Sequence, residues 1–270
     1  MKYEIDTIPV WDALRARSEC PLCLLEKRSR QAAVRYYLGP SVMVPEVRVT
    51  VNQIGFRPEN LRLLSKDPNK LGIALVSHTR LKALRAKLSG QTKTLRVEAS
   101  KAAAKNALEG LVGKKPLVEQ VSKLSAFLRN EESQCLIETK VTHDLERYAY
   151  TLVHLWNQDK DFRPAWNSSP GSCLHHAPLV LEMARSELPA PALGTFIGEF
   201  LDLLDRNLAR VEQDVLAFTQ TFDSTQSHQI VGNPQGAVDR CLQKIAGAFP
   251  EYEDESKSRK GPLMGGVTST

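Results

Sequence analysis

Two short motifs hold the residues of this sequence that could do chemistry. Cys20-Pro21-Leu22-Cys23 places two thiols three positions apart, and Cys173-Leu174-His175-His176 places a thiol and an imidazole at the same spacing. In a helical turn, that spacing brings both side chains to one face, within reach of one ion. Three thiolates and one imidazole are a common closed ligand set for zinc, and a helix N-terminus favours the thiolate form. The predicted metal ligands are Cys20, Cys23, Cys173 and His176.

These four residues are also consistent with two different roles. An iron–sulfur cluster accepts three thiolates and a histidine, so it is the alternative cofactor. Free cysteines are among the most buried residue types and often pack as small apolar side chains. In that second case Cys20, Cys23 and Cys173 would belong to the core, and His176 would lie at the surface.

The remaining reactive residue types lack an organising pattern. No ligand partner at a matching spacing accompanies His78, His143, His154 or His175, so these histidines are expected to pack or to face solvent. Cys241 lies on an apolar helical face and is predicted to be core. The sequence contains no Gly-rich phosphate loop, nucleophile elbow or zinc-protease motif. We therefore predict no catalytic residue and expect a non-enzymatic protein.

Apolar residues recur at intervals of three and four along most of the chain, which is typical of amphipathic helices. Pro21 begins a helix that ends near Leu38, before Gly39-Pro40. Further helices are predicted at residues 71–88, 116–129, 137–155, 173–188 and 196–222, with a last one after Gly232. Residues 47–51 are β-branched, but an isolated strand is unstable and we assign them to a loop. The predicted fold class is all-α.

The cysteine motifs also indicate an internal repeat. Arg57, within Gly55-Phe56-Arg57, follows Cys20 by 37 residues, and Cys173, within Gly171-Ser172-Cys173, follows Cys135 by 38. We predict duplicated helical repeats around the Cys/His site, joined by a basic helical connector. The predicted segments are a first repeat in residues 1–90, the connector in 91–130, a second repeat with a closing helix in 131–250, and a disordered tail in 251–270.

Composition argues against membrane insertion and secretion. Of 270 residues, 42% are hydrophobic and 25% are charged, and no eighteen apolar residues follow one another. The five cysteines are an odd and sparse set, which suits a reducing compartment and metal use better than a disulfide framework. We expect a cytoplasmic protein.

The net charge of +5 conceals a strong asymmetry. Residues 61–130 carry 15 basic and 4 acidic side chains, whereas residues 131–270 carry 12 basic and 20 acidic ones. A basic segment of this kind could bind nucleic acid, or it could face the acidic part of its own molecule. Nucleic acid is not the favoured partner, because no aromatic residues are interleaved with the basic ones.

Several of these motifs together resemble a family of uncharacterised bacterial proteins that is described as a domain of unknown function. The resemblance extends to about Phe249. It implies an all-helical duplicated protein with metal half-sites in a doubled CPxC and GFCxxH pattern, and it implies no established activity. The segments that carry it are Thr7-Ile8-Pro9-Val10, Cys20-Pro21-Leu22-Cys23, Gly55-Phe56, Glu146-Arg147-Tyr148, Leu155-Trp156, Cys173-Leu174-His175-His176, Leu181-Glu182-Met183-Ala184 and Gly232-Asn233.

This sequence departs from the family motif at three ligand positions, which hold Arg57, Asn60 and Glu138. If each repeat bound its own ion, both sites would lack ligands. If the repeats exchange half-sites, one site keeps all four ligands and the other keeps almost none, so that Arg57 could pair with Glu138 instead. We predict the exchanged arrangement. The alternative is a site that combines Cys135 and Glu138 with the Cys173 motif.

Three classes of function are consistent with these observations. The favoured one is a helical scaffold or adaptor that is stabilised by a structural zinc ion and binds a protein partner. The second is a thiol redox protein that uses Cys20 and Cys23, although such motifs usually follow a strand in an α/β unit. The third is a nucleic-acid binder that uses residues 61–130.

Overall fold

The computed structural model describes residues 4–16, 18–104, 110–222 and 231–247. Within these ranges the chain forms eleven α-helices and one 3-10 helix and contains no strand, which confirms the all-α prediction. The predicted tail at residues 251–270 lies outside the described residues. The helices are α1 Glu4–Arg15, α2 Pro21–Leu38, the 3-10 helix Pro40–Met43, α3 Pro45–Ile54, α4 Pro58–Lys66, α5 Lys70–Ala103, α6 Gly110–Ser133, α7 Leu136–Gln158, α8 Phe162–Asn167, α9 Ala177–Glu187, α10 Ala190–Gln220 and α11 Ala237–Ala246.

The chain divides into two compact units. Unit 1 comprises residues 1–25 and 148–270, and unit 2 comprises residues 26–147. The boundaries fall inside α2 and inside α7, so each of these helices contributes residues to both units. Among the helices of the described ranges, none is long and apolar enough to cross a membrane. The division into two sequence repeats stays a prediction. The compact units are defined by contacts between residues, so they do not test whether two segments of the sequence are duplicates.

Aromatic side chains supply the largest members of the core of unit 1. Phe162 and Trp166 on α8 are buried, and the ring of Phe162 packs edge-on against Trp11 of α1 at 5.0 Å. On α10, the ring of Phe196 contacts Trp156 of α7 edge-on at 4.8 Å. Such edge-to-face pairs contribute about 0.5–1.5 kcal/mol beyond the area that they bury. This core holds α8, α9 and α10 around the segment that contains Cys173.

The helices of unit 2 include a pair of long helices, α5 and α6, that pack against each other. At the first turn of α5, Asn69 accepts a hydrogen bond from the backbone N–H of Gly72 at 2.9 Å, which caps the helix. Further along, Glu131 of α6 binds Arg80 and Lys87 of α5, each at 2.7 Å. These ion pairs join the C-terminal end of α6 to α5 between Arg80 and Lys87.

Several helix bounds differ from the sequence prediction. Residues 47–51 were predicted as a loop but belong to α3, where Pro45 occupies the first turn and β-branched residues cost little. Helix α5 continues to Ala103, well beyond residue 88, because its Ala, Lys and Arg residues are good helix formers. Helix α9 begins at Ala177, so that Cys173 precedes the helix that was expected to contain it. Helix α1 was not predicted from the sequence.

Glycines with a positive φ angle form the turns before two of the segments that the sequence repeat pairs with each other. Gly55 has φ +81° and Gly171 has φ +73°, a region that L-amino acids with a side chain rarely adopt. A Cβ atom at Gly171 would also lie 3.1 Å from Cγ of Leu203 on α10. Gly171 therefore sets both the direction of the chain before Cys173 and its close approach to α10.

We expect Gly171→Ala to destabilise the protein by about 1–2 kcal/mol or more, because the left-handed conformation costs that much for a residue with a Cβ. The matched control is Gly198→Ala on α10, where a Cβ meets no atom within 4 Å. This control should stabilise the protein by up to about 1 kcal/mol through helix propensity. Urea unfolding of the two variants measures both effects. Equal changes in the two variants would show that the turn at Gly171 is not strained by a side chain.

Candidate metal centre

Two helix starts in unit 1 present the four residues of the candidate site. Cys20 immediately precedes α2, and Cys23 lies in the first turn of that helix. Cys173 lies in a turn before α9, and His176 is the N-cap residue of α9. The dipole of each helix places partial positive charge at these ends, which favours a thiolate there.

The four side chains converge on one point. The Nδ1 atom of His176 lies 3.7 Å from Sγ of Cys20, 3.5 Å from Sγ of Cys23 and 3.3 Å from Sγ of Cys173. The sulfur atoms of Cys23 and Cys173 are 3.6 Å apart. All four candidate ligand atoms lie within 4.8 Å of one another. The structure thus brings together the four residues that the two sequence motifs contribute.

Four of the separations between donor atoms, 3.3–3.7 Å, lie close to the edges of a tetrahedral metal site, and the remaining pairs lie within 4.8 Å. With metal–sulfur bonds of about 2.3 Å and a metal–nitrogen bond of about 2.0 Å, neighbouring ligand atoms lie about 3.5–3.8 Å apart. The separation of 3.6 Å between Cys23 and Cys173 is far longer than a disulfide bond of about 2.05 Å, and both cysteines are free. None of the four residues is more than 2% exposed. Soft donors in a buried tetrahedral arrangement could therefore hold one metal ion.

The charges of the four groups are strongly coupled. Burial raises the pKa of the Cys20 thiol, but hydrogen bonds with Cys173, Cys23 and His176 outweigh it, and the net effect is a lowered pKa. Hydrogen bonds with Cys173 and Cys20, together with burial, raise the pKa of Cys23. Burial lowers the pKa of His176, yet hydrogen bonds with Cys173 and Cys20 and the charges of these thiols raise it to about 10. The site stabilises negative charge on the sulfur of Cys20 next to the imidazole of His176.

The backbone supports the turn that carries Cys173 and His176. The N–H of His176 donates a hydrogen bond to Sγ of Cys173 at 3.4 Å, which stabilises a thiolate. Ser172 lies beside Cys20, with 3.9 Å between Oγ and Sγ. These contacts orient the sulfur atoms of Cys20 and Cys173 in the candidate site.

A family of unknown function matches nearly the whole chain. The family model, described as "Family of unknown function (DUF6062)", covers residues 1–252. The chain belongs to this family. No curated protein and no solved structure matches it. The DUF6062 match confirms the family resemblance, whereas the doubled motif and a bacterial origin stay predictions.

A second cluster in unit 2 of this DUF6062 chain contains the residues that depart from the expected ligands. Nδ2 of the buried Asn60 donates hydrogen bonds to Sγ of Cys135 at 3.3 Å and to Oε1 of Glu138 at 2.7 Å. Cys135 is also buried. The cluster follows the layout of the candidate metal centre, with a pair of residues at the start of α7 facing a residue at the start of α4.

A salt bridge completes this second cluster, but its cation is not the predicted one. Arg30 of α2 binds Glu138 through two nitrogen atoms, and it also binds Oδ1 of Asn60 at 3.1 Å. Arg57, which was predicted to pair with Glu138, instead donates to the backbone carbonyl of Ser133 at 2.7 Å. Arg57, the N-cap residue of α4, acts on Glu138 through its positive charge, which lowers the pKa of that carboxyl group. The ion pair with Glu138 is made by Arg30, and the charge of Arg57 adds to it.

The remaining candidate residues do not join a site within the described ranges. His175 is exposed although it neighbours His176, and His78, His143 and His154 belong to no cluster of three or more metal-binding side chains. Cys241 is half-buried rather than core. Sequence patterns did not indicate Glu19 and Lys244, which are buried next to the candidate centre. The residue types alone do not indicate a role near the site, because lysine and glutamate in a helical protein are usually exposed.

The ionic contact at Glu138 predicts a defined dependence on pH. Burial raises the pKa of Glu138, but hydrogen bonds from Arg30 and Asn60 and the charges of Arg30 and Arg57 lower it below the usual 4.5. A lowered folded-state pKa stabilises the protein above the unfolded-state pKa, and this contribution disappears as the pH falls through the folded-state pKa. Glu138→Gln should therefore be less stable than wild type at pH 7, and the difference should shrink below pH 4.5.

Urea unfolding at several pH values measures this difference. The matched control is Glu119→Gln, because Glu119 pairs with Lys123 at 2.6 Å on the exposed surface of the same unit. Exposed pairs of this kind contribute little, so the control should unfold at the urea concentration of wild type at every pH. A constant difference between Glu138→Gln and wild type across the whole pH range would contradict the assignment.

Proposed function

We propose that Cys20, Cys23, Cys173 and His176 bind one zinc ion in a closed site whose role is structural. The observation that carries this proposal is the convergence of three sulfur atoms and Nδ1 of His176 within 4.8 Å of one another, with four of the six separations between 3.3 and 3.7 Å. Zinc prefers this geometry and this set of donors. The alternative cofactor, an iron–sulfur cluster, requires space for inorganic sulfide and further iron atoms between the cysteines. Distances of 3.3–3.7 Å between the donor atoms suit a single ion better.

The donor set supports a structural rather than a catalytic role. Four protein ligands fill the coordination shell of zinc, whereas catalytic zinc sites keep a position open for water or substrate. The burial of all four residues also restricts access of a substrate. Zinc would join α2 to the turn before α9, which are more than 140 residues apart in the sequence.

We further propose that the protein is a non-enzymatic scaffold or adaptor in the cytoplasm, with a protein partner. Five free cysteines support a reducing compartment. Burial of Cys20 and Cys23 argues against the redox alternative, because thiol–disulfide exchange requires an accessible attacking sulfur. The proposal of a scaffold rests on the helical architecture and on the absence of catalytic motifs from the sequence.

Elemental analysis and site-directed variants test the zinc proposal. Purified protein should contain about one zinc ion per chain, and Cys173→Ser should lose it. Cys135→Ser and Cys241→Ser are the matched controls and should keep it, because neither cysteine belongs to the site. Removing zinc with a chelator should lower the free energy of unfolding by about 4 kcal/mol relative to a free zinc concentration 1,000 times the Kd.

The same experiment identifies the alternatives. Iron together with acid-labile sulfide in the purified protein would establish a cluster in place of zinc. Zinc loss in Cys135→Ser equal to that in Cys173→Ser would contradict the assignment of ligands. Wild-type protein that contains no metal and gains no stability from added zinc would refute the proposal.

A specific surface feature favours nucleic-acid binding as the second candidate function. Basic residues and His78 recur on α5 at intervals of three, four and eight, which places them on one face of the helix. The stripe spans about 27 Å along the axis. All of its members are exposed: His78, Lys82, Arg85, Lys93 and Arg96. A linear array of positive charge of this length could contact several phosphates.

Binding to duplex DNA at a series of salt concentrations tests this second candidate. A variant with Lys82→Gln and Lys93→Gln should bind more weakly, and the slope of log K against log salt should fall by about 0.9 for each phosphate contact that is lost. The control is Lys123→Gln, an exposed lysine of α6 whose charge is paired with Glu119. No binding by wild-type protein at low salt, or equal loss in the control, would exclude a role for the stripe.

A further inference from the structure

A fully buried lysine lies next to the candidate zinc site. Lys244 of α11 is 0% exposed. Its Nζ atom donates hydrogen bonds to the backbone carbonyls of Glu19 at 2.8 Å and Pro170 at 2.6 Å, and it lies 3.4 Å from the carbonyl of Ser172. The same atom is 3.3 Å from a carboxylate oxygen of Glu19. Since the surrounding groups are all acceptors, the amine requires all three of its N–H donors and is an ammonium ion.

The contacts of Lys244 reach both halves of the site. Glu19 immediately precedes Cys20, and Ser172 immediately precedes Cys173. The backbone carbonyl of Lys244 also accepts a hydrogen bond from the N–H of Leu174 at 2.8 Å. One residue of α11 therefore holds the two segments that present the sulfur atoms.

Lys244 belongs to a network of ion pairs with an excess of positive charge. Arg210 pairs with Glu19 at 2.5 Å and with Asp214 at 3.5 Å, while Arg240 pairs with Asp214 at 2.9 Å and approaches Glu19 at 4.0 Å. Both carboxylates are buried. The ion pairs found among the described residues thus connect three cations to two anions, a surplus of one positive charge.

The side chains of Arg210 and Arg240 are 38% and 23% exposed, so water screens part of their charge, whereas Lys244 is fully buried and depends most on an opposite charge nearby. A zinc ion with three thiolates and a neutral imidazole carries a net charge of −1, because the three thiolates exceed the two positive charges of the metal. The surplus of the network and the net charge of the loaded site are equal and opposite. This relation does not hold for a site with two thiolates and two imidazoles, which would be neutral.

We propose that Lys244 is a positioning residue of the metal centre, which holds both ligand segments and supplies the positive charge that balances a divalent ion bound by three thiolates. The inference rests on the proposed zinc site. It goes beyond that site because it assigns to the ammonium group of Lys244 a part in setting the affinity for the ion. The ligand class is a divalent cation that accepts three thiolates, with zinc as the probe.

Competition with a chromophoric chelator tests the proposal through the Kd for zinc. Lys244→Met keeps much of the side-chain volume but removes the charge and the donors. Its affinity for zinc should fall by about 10- to 100-fold, the usual effect of removing an outer-shell partner. The matched control is Arg163→Met, which removes a cation from unit 1 that pairs with Glu199 on α10. The control should bind zinc with the affinity of wild type.

A second substitution separates charge balance from the hydrogen bonds alone. In the double variant Lys244→Met with Glu19→Gln, one cation and one anion are removed, and the network regains its surplus of one positive charge. We expect the double variant to recover at least part of the lost affinity. Glu19→Gln alone increases the positive surplus of the network. This variant should therefore bind zinc at least as tightly as wild type. Its affinity also tests the charge-balance argument if Lys244→Met does not fold.

The outcomes distinguish this inference from the proposed function. If wild-type protein binds no zinc, the proposed function fails. If wild type binds zinc and Lys244→Met binds it equally well, the zinc site stands and the role of Lys244 is refuted. Weaker binding by Glu19→Gln, or no recovery in the double variant, would overturn the charge-balance part of the inference.

Discussion

Burial of four polar side chains at one point is the constraint on which this structure depends. Three thiols and an imidazole are removed from water and lie within 4.8 Å of one another, so the groups must satisfy each other or share a ligand. Apolar packing alone gives no reason for this grouping, because small aliphatic side chains would fill the same volume without a desolvation cost. The metal ion that we propose would supply the missing reason, since it would bond to all four donors and favour the ionised thiols.

The candidate metal centre in unit 1 and the cluster around Glu138 in unit 2 have the same layout, but different groups satisfy their buried polar side chains. In unit 1 the donors are three sulfurs and a nitrogen, which suit a soft or borderline metal ion. In unit 2 the corresponding positions hold Asn60, Cys135 and Glu138, and the guanidinium of Arg30 binds the carboxylate and the amide. A planar cation with directed donors can thus occupy the role that an ion has in the other cluster. This comparison favours one metal ion per chain rather than two.

The sequence was sufficient to predict which four candidate ligands come together, but not the groups that support them. Cys20-Pro21-Leu22-Cys23 and Cys173-Leu174-His175-His176 are local patterns, and soft ligands at this spacing have few other uses. Helices α2 and α7 were predicted from equally local signals, namely Pro21 at the first turn and regular apolar spacing. Lys244 could not be predicted in this way, because its partners lie 72–225 residues away. The apolar face of α11 that predicted Cys241 to be core is instead half-buried at Cys241, and Val238 and Ile245 are 42% and 54% exposed.

The central claim is that one ion is bound by three sulfur atoms and one nitrogen atom, and X-ray absorption spectroscopy at the zinc edge tests it most directly. We expect a first shell of three sulfurs at about 2.3 Å and one nitrogen at about 2.0 Å, in four-coordinate geometry. The spectrum separates sulfur from nitrogen or oxygen ligands and needs no variant of the protein. A shell with two or fewer sulfurs, or one with five or six ligands, would contradict the claim.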